Sequence, residues 1–254
     1  MVRVEDIRKS FGDTEVLKGI SLTFEKGKTN LIIGRSGAGK TVLLKTLVGL
    51  ITPTSGTVWY DDINFTQLDK KSLREVRMNI GMLFQGSALF DSLTVEENIR
   101  FPMDMFKKMT LAEKRKRVDY CLEVVGLEGI NDKFPSEISG GMQKRVGIAR
   151  AIVLDPDYLF CDEPNSGLDP KTSLLIDDLI LDITRTNKTT TIINTHDMNS
   201  VMGIGENIAL LHKGKMAWQG HKEEIIDSDN ELLQSFIFAS PFLKELKEKA
   251  YGHK

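Results

Sequence analysis

Gly34-Arg35-Ser36-Gly37-Ala38-Gly39-Lys40-Thr41 fits the spacing G-x-x-x-x-G-K-[ST], which suits the binding of a chain of phosphates. The apolar run Leu31-Ile32-Ile33 leads into it, and the helical-looking Val42-Leu43-Leu44-Lys45-Thr46-Leu47-Val48 follows. A strand, a glycine turn and a helix N-terminus in that order aim several backbone N–H groups at one point, where the helix dipole also favours anions. Lys40 can then reach the β- and γ-phosphates, and the Thr41 hydroxyl can take a place on Mg²⁺. The expected ligand is a nucleoside triphosphate. Further along, Tyr158-Leu159-Phe160-Cys161-Asp162-Glu163 is an apolar strand ending in two carboxylates. Such a strand lifts the acids to the carboxyl edge of a sheet, where ligands of open α/β sheets bind. Asp162 suits Mg²⁺ through water, because that ion keeps several of its waters. Glu163, one residue on, can point to the other side and act as general base on the attacking water. Without a phosphate loop, the same Asp-Glu pair would read as an ordinary loop start with a helix cap.

Strand-like segments recur with helical ones between them, the pattern of a largely parallel sheet with helices on its faces. The N-terminal part adds β-like stretches at 2–7, 19–24 and 56–60, with Pro53-Thr54-Ser55-Gly56 marking a turn. From about residue 87 to 153 helix signals dominate. Thr110-Leu111-Ala112-Glu113 is a capping box, and Val118, Leu122 and Val125 share one face until Gly126 ends the helix. Lys114-Arg115-Lys116-Arg117 reads as a solvated helix face, with contact to anionic lipid headgroups as the other reading. After Leu210 the chain returns to short β-like pieces around a hairpin turn at Lys213-Gly214-Lys215. The tail from Glu223 onward reads as helices broken at Pro241. There Leu232 and Phe236, then Phe242, Leu243 and Leu246, lie at helical spacings. That face can pack on the chain's own core, on a second copy or on a partner helix.

The length of 254 residues allows one large α/β domain or two small ones. A net charge of −2 provides no basic field for nucleic acid. No apolar run approaches the roughly eighteen residues of a membrane span, and the start Met1-Val2-Arg3-Val4-Glu5-Asp6 soon turns acidic with no apolar core, unlike a signal peptide. Cys121 and Cys161 are too few for a disulfide framework, and Cys161 sits inside an apolar run as a small hydrophobe. These features together suggest a cytosolic protein.

Ile138-Ser139-Gly140-Gly141-Met142 opens a helix running from Gly140 to about Leu154 and forms a second anion-binding segment. In isolation Ser139-Gly140-Gly141 reads better as a flexible turn before a capped helix. With it in place, the chain resembles the ATP-binding subunits of ABC transporters over nearly its whole length and in their motif order. The family usually has Leu-Ser-Gly-Gly-Gln here. Met142 removes a polar group, while Ser139, Gly140 and Gly141 keep the donors expected at the γ-phosphate.

The resemblance implies an α/β fold, a P-loop NTPase (RecA-like) core with an antiparallel β subdomain and an ABC-specific helical subdomain at about 87–153. Residues 1–225 would form the ATP-binding domain and 226–254 a C-terminal helical tail. It implies ATP and Mg²⁺ as cofactors, Asp162 as the magnesium aspartate and Glu163 as the catalytic glutamate of an ATPase. Gln85, after Ile80-Gly81-Met82-Leu83-Phe84, matches the family's glutamine loop, with its amide oxygen for Mg²⁺ or the water. His196, after Thr191-Ile192-Ile193-Asn194-Thr195, matches the switch histidine that bonds the γ-phosphate. Ser166-Gly167-Leu168-Asp169 matches the loop facing the opposing site, with Gly167 where Ala is usual and Asn165 where Thr is common. Phe11 stands where the family stacks an aromatic ring on adenine, though it equally suits the core, and Val16 can pack the ribose side.

In the family, Ser139-Gly140-Gly141 reach the phosphate loop of a second copy, so two chains pack head to tail, close on ATP and reopen on hydrolysis. The implied partners are that second copy and an integral membrane permease, with the chain peripheral on the cytoplasmic face of the inner membrane. The run from Met142 through Gln143-Lys144-Arg145-Val146-Gly147-Ile148-Ala149-Arg150 resembles the Mla-type ATPases. So does Gly81-Met82-Leu83-Phe84-Gln85-Gly86-Ser87-Ala88-Leu89-Phe90-Asp91-Ser92-Leu93-Thr94-Val95 with Glu97-Asn98-Ile99, and so does the tail segment 231–236. Those ATPases work with a permease and a lipid-binding MCE-domain protein to move phospholipid between bacterial membranes. Amino-acid importers, lipoprotein-release ATPases and the cell-division ATPase share most of these motifs and form the alternative. ABC ATPases acting on ribosomes or DNA usually carry two motif sets or long coiled-coil insertions, and neither is seen here.

Overall fold

The computed structural model describes residues 1–225 and 227–238. The chain opens with the hairpin β1 (Val2–Phe11) and β2 (Thr14–Phe24), then enters a short buried strand, β3 (Thr29–Ile33), that leads into α1 (Lys40–Leu47). Strands β4 (Ser55–Tyr60) and β5 (Ile63–Asn64) return to the hairpin and complete an antiparallel sheet ordered β2-β1-β4-β5. After α2 (Lys70–Met78) and β6 (Ile80–Leu83) come three helices, α3 (Val95–Phe106), α4 (Leu111–Val124) and α5 (Gly140–Ile152). The remainder alternates: β7 (Tyr158–Asp162), α6 (Pro170–Asn187), β8 (Thr190–Thr195), α7 (Met198–Ile204), β9 (Asn207–His212), β10 (Lys215–Gly220) and α8 (Glu231–Ile237).

The second sheet runs β10-β9-β3-β8-β7-β6, parallel throughout except where β10 turns back on β9. Strands β3, β7 and β8 are buried at every position, as expected of parallel strands covered on both faces. Alternation of side chains divides the interior into two cores. Leu31 and Ile33 of β3 join α3 to α8 on one face; Ile32 joins α1 and the antiparallel sheet on the other. The fold is therefore an α/β P-loop core flanked by an antiparallel sheet and a helical subdomain. The phosphate loop leaves the carboxyl end of β3, where neighbouring strands diverge and open sheets bind ligands.

The helical subdomain carries its own punctuation. Thr94 with Glu97, and Thr110 with Glu113, form complete capping boxes at the starts of α3 and α4. Val118, Leu122 and Val125 are buried, and Gly126 ends α4 at φ +63°. The basic cluster departs from a solvated face, because three of its four members pair within the chain, Arg115 (itself exposed) meeting Glu96 at 3.0 Å. Lys114 pairs with Asp104 at 2.7 Å. Arg117 donates to the carbonyls of Val153 (2.9 Å) and Ile152 (3.0 Å) and to Asp155 (2.5 Å). It thereby satisfies backbone acceptors left over at the end of α5. Arg117→Ala is expected to cost about 2 kcal/mol of stability, the scale of charge-assisted hydrogen bonds to buried acceptors. Lys116→Ala, on the exposed side, should stay within roughly 0.5 kcal/mol. Urea midpoints of the two variants check this, and equal midpoints would contradict it.

The tail differs from its sequence reading. In α8 the buried pair is Leu233 and Ile237, packed with Ile225 in the core of α6 and α7, while Leu232 is exposed. Phe236 is half-buried against the same core. The spacing was helical, but the inward face lies one residue further along. Phe242, Leu243, Leu246 and the break at Pro241 lie outside the described residues. Both cysteines are buried and free, and burial pushes Cys121 up to about 11 and Cys161 up to about 12. No helix among the described residues is long and apolar enough to cross a membrane.

Candidate active site

The phosphate loop holds three of its glycines at positive φ, and two of them have no room for a Cβ. Gly34 has φ +148°, and a Cβ there would run into the backbone carbonyl oxygen of Leu211 on β9. Gly39 sits at φ +104° as the N-cap of α1, and a Cβ would lie 2.9 Å from Leu17 Cδ2. The turn is tied by the Ala38 N–H to the Arg35 carbonyl (3.1 Å) and by the Gly214 N–H to the Ala38 carbonyl (3.1 Å). Lys40 is 8% exposed. Its ammonium donates to the Gly34 carbonyl at 2.9 Å and lies 3.8 Å from Glu163 Oε1. Beside it opens a cavity of about 590 Å³ lined by residues 35–42 with Val16, Gln85, Glu163, His196 and Phe236.

Adjacent parallel strands supply the cavity's polar groups. Asp162 ends β7 in register with Asn194 of β8. Asn194 Nδ2 donates to Asp162 Oδ1 at 2.7 Å and to Thr41 Oγ1 at 3.2 Å, and the Thr41 hydroxyl donates to the same carboxylate oxygen at 3.2 Å. Asn194 Oδ1 is buried without a partner, an orphan acceptor at the edge of an otherwise satisfied cluster. Thr41, Asp162 and Gln85 together offer only hard oxygen atoms, the donor chemistry that Mg²⁺ takes alongside phosphate and water.

Glu163 follows with a backbone at φ +50°, a left-handed conformation that a non-glycine residue keeps only when its surroundings hold it. Its N–H donates to the Asn194 carbonyl at 2.8 Å, and its carbonyl accepts from the Ser166 N–H at 3.2 Å. The turn swings the Glu163 side chain away from Asp162 and into the cavity, where Oε2 meets His196 Nδ1 at 2.8 Å. Glu163 is 12% exposed and His196 67%. A carboxylate shielded on one side, a lysine ammonium beside it and an exposed imidazole on its far oxygen can activate a water next to an anionic substrate.

The remaining sequence-derived residues are placed elsewhere. Ser139 caps α5, its hydroxyl accepting from the Met142 N–H at 3.3 Å. Ser139, Gly140, Gly141 and Asp169 line a separate hollow of about 310 Å³. Asp169 caps α6, and hydrogen bonds from Thr172 hold its carboxyl below the ordinary range. Phe11 is half-exposed at the end of β1, with the Lys9 ammonium 5.0 Å from its ring, and it does not line the cavity.

Sequence reasoning passed over three residues. Asn194 had a signal, a lone amide inside a β-branched strand. Phe236 had none, since nothing in a tail segment announces which loop it will reach. Lys144 sits among other basic residues of α5 but is 5% exposed. It donates to the Gln85 carbonyl and lies 3.4 Å from the Glu163 carbonyl, and burial pulls its pKa down.

A profile of the ABC transporter family matches residues 17–166. Among similar proteins, the probable ribonucleotide transport ATP-binding protein mkl of Mycobacterium tuberculosis is 38% identical over 236 residues, covering 93% of this chain. The chain spans about two thirds (66%) of that relative's length. The methionine import ATP-binding protein MetN of Geobacillus kaustophilus is 36% identical over 257 residues, covering 100% of this chain and 75% of its own length. Among solved structures, a dimeric post-hydrolysis state of the ATP-binding cassette MJ0796 bound to ADP and Pi superposes with a TM-score of 0.80 at 33% identity, covering 87% of this chain and 99% of that one. Structure cbiO1 from Clostridium perfringens, part of the ABC transporter complex cbiONQ, gives a TM-score of 0.83 at 31% identity, covering 97% and 98%.

Proposed function

This chain belongs to the ABC transporter family and is an ABC-type ATPase, and on that premise we propose that it is the motor subunit of a membrane transporter. The observation that carries the proposal is the convergence of Lys40, Thr41, Glu163 and His196 on one cavity from three separate strand ends, with the buried Asp162 hydrogen-bonded to Thr41 behind its wall. Lys40 and the loop N–H groups bind the phosphates. Thr41, Asp162 and the Gln85 amide would hold Mg²⁺, whose charge offsets that of the phosphates when it is bound. Glu163 takes the proton from the attacking water. With its Nδ1–H donated to Glu163, His196 fixes that carboxylate and offers its other face to the γ-phosphate. Val16, in the cavity wall, packs the ribose side, and Phe11, half-exposed at the end of β1, is the ring offered to the base.

The hollow of Ser139, Gly140, Gly141 and Asp169 supplies the other half of the site. It lies apart from the cavity of its own chain, so a second copy must bring it to the phosphates. The dimeric likeness bound to ADP and Pi supports this arrangement. Beyond Gln85 lies a groove of about 420 Å³ lined by Met82, Phe84, Phe90, Phe101 and Phe106, with Arg77 and Arg150 also in its lining. Its apolar floor and cationic groups suit a short helix of a permease, which would place residues 1–225 against the cytoplasmic face of a membrane, with 226–254 as an added tail.

For the cargo, the relatives named for methionine and ribonucleotide transport favour the alternative of a small-solute importer. Phospholipid movement with an MCE-domain partner is the second reading, resting on the resemblance of segments 81–99 and 142–150 to Mla-type ATPases. Purification of the tagged chain from its own membranes, with co-purifying proteins and small molecules identified by mass spectrometry, decides between them. A permease with a solute-binding protein supports import, an MCE-domain protein with phospholipid supports the second reading, and recovery with ribosomes or DNA would sink both.

A further inference from the structure

Lys144 is a buried ammonium that the nucleotide chemistry above leaves unused. It projects from the middle of α5, and among the described residues no carboxylate forms an ion pair with it. Its acceptors are two backbone carbonyls, those of Gln85 and Glu163, which lie just past the ends of the neighbouring parallel strands β6 and β7. A buried charge costs free energy unless its hydrogen bonds are met, so its site restricts where these two carbonyls can be.

Both carbonyls sit where the backbone needs holding. Glu163 is left-handed at φ +50°, and after Gln85 the chain is left-handed again at Ser87 (φ +60°) and Ala88 (φ +48°). Arg150, further along α5, donates to the carbonyls of Ser87 (2.5 Å) and Ala88 (2.7 Å). Thus α5 grips the Gln85 loop with two cations, and one of them also touches the backbone of the glutamate. The same helix carries Ser139, Gly140 and Gly141 at its start.

We propose that Lys144 is a positioning residue for hydrolysis, joining α5, the Gln85 loop and the Glu163 backbone so that they move as one unit. A shift of α5, whether from the second copy at its start or from a partner against the Gln85 loop, then reaches the glutamate through a single ammonium. The proposal rests on Glu163 being the base, as read above.

The test compares the full-length Lys144→Met and Lys144→Gln variants with the parent and with Glu163→Gln, using magnesium ATP. Lys144→Met keeps an unbranched side chain one atom shorter but removes charge and donors. It is expected to lower kcat about thirtyfold while leaving KM and the ATP dissociation constant within about twofold, the scale of a misplaced catalytic group rather than lost binding. Lys144→Gln keeps an amide donor and should recover most of that loss, settling about threefold below the parent. Combined with Glu163→Gln, Lys144→Met should lower turnover no further, because both act through one group. Parental kcat in Lys144→Met, or a rise in KM that accounts for the whole loss, overturns the proposal. If Lys144→Met does not fold, Lys144→Gln decides alone, and parental kcat there overturns it. Undiminished turnover in Glu163→Gln instead removes the base on which the proposal stands, a distinct result.

Discussion

Glu163→Gln is expected to reduce ATP turnover by a factor of about 10² to 10⁴, the usual contribution of a general base, while ATP still binds. The substitution is nearly isosteric. The amide oxygen can still accept from His196, and the left-handed backbone is held by the Asn194 carbonyl and the Ser166 N–H rather than by the carboxylate. What is lost is the capacity to take a proton. What is gained is the absence of a negative charge 3.8 Å from Lys40 in a cavity meant for phosphates, so ATP affinity should hold or rise. An ATP-bound site that cannot turn over keeps its γ-phosphate contacts, and a head-to-tail dimer should therefore accumulate. Phosphate release and size-exclusion chromatography in ATP and in ADP read the two halves separately. Turnover within about tenfold of the parent would remove Glu163 from the role of base. Lost turnover without an ATP-dependent dimer would instead count against the two-copy site.

The strands that deliver the chemistry were legible because each is short, apolar or β-branched, and gives way to a residue type that does not belong inside. Ile33 gives way to Gly34, Cys161 to Asp162, and Thr195 to His196, three exits along one carboxyl edge. The capping box at Thr110 is a local hydrogen-bond pattern of four residues and needed no tertiary information, whereas the equivalent box at Thr94 went unread. What sequence could not supply was contact between distant segments. Asn194 becomes part of the site only because β8 lies in register beside β7, a pairing set by the sheet order. Lys114 and Arg117 look solvent-facing in a run of four cations until α3 and the end of α5 are brought alongside. The inward face of α8 was misplaced by one residue for the same reason. Leu232, Leu233, Phe236 and Ile237 satisfy helical spacing in two phases, and only the tertiary packing of that core chooses between them. The half-site at Ser139 was read through family resemblance, and the geometry explains why no intrachain argument would have found it. It lines a hollow separate from the cavity at its own phosphate loop.

Gly34→Ala should weaken nucleotide binding sharply with an unaltered set of charged groups. Gly34 leaves β3 at φ +148°, a region closed to other residues at a cost of about 1–3 kcal/mol. The added methyl also meets the Leu211 carbonyl oxygen, which is backbone of β9 and cannot rotate away. Relief requires either that β3 and β9 part, against their pairing at Ile33 and Leu210, or that the loop lift. Both routes displace the Gly34 carbonyl on which Lys40 rests at 2.9 Å and turn the loop N–H groups off their common point. ATP affinity is expected to fall by about a hundredfold, equivalent to roughly 2.7 kcal/mol. Gly37→Ala is the internal comparison. Gly37 also has positive φ, +78°, but a Cβ there meets nothing within 4 Å, so only the left-handed strain of about 1–2 kcal/mol applies. Titration of a fluorescent ATP analogue against both folded variants separates clash from strain. If Gly37→Ala loses as much affinity as Gly34→Ala, backbone handedness alone sets the loop. If Gly34→Ala binds like the parent, the phosphates do not sit on this loop.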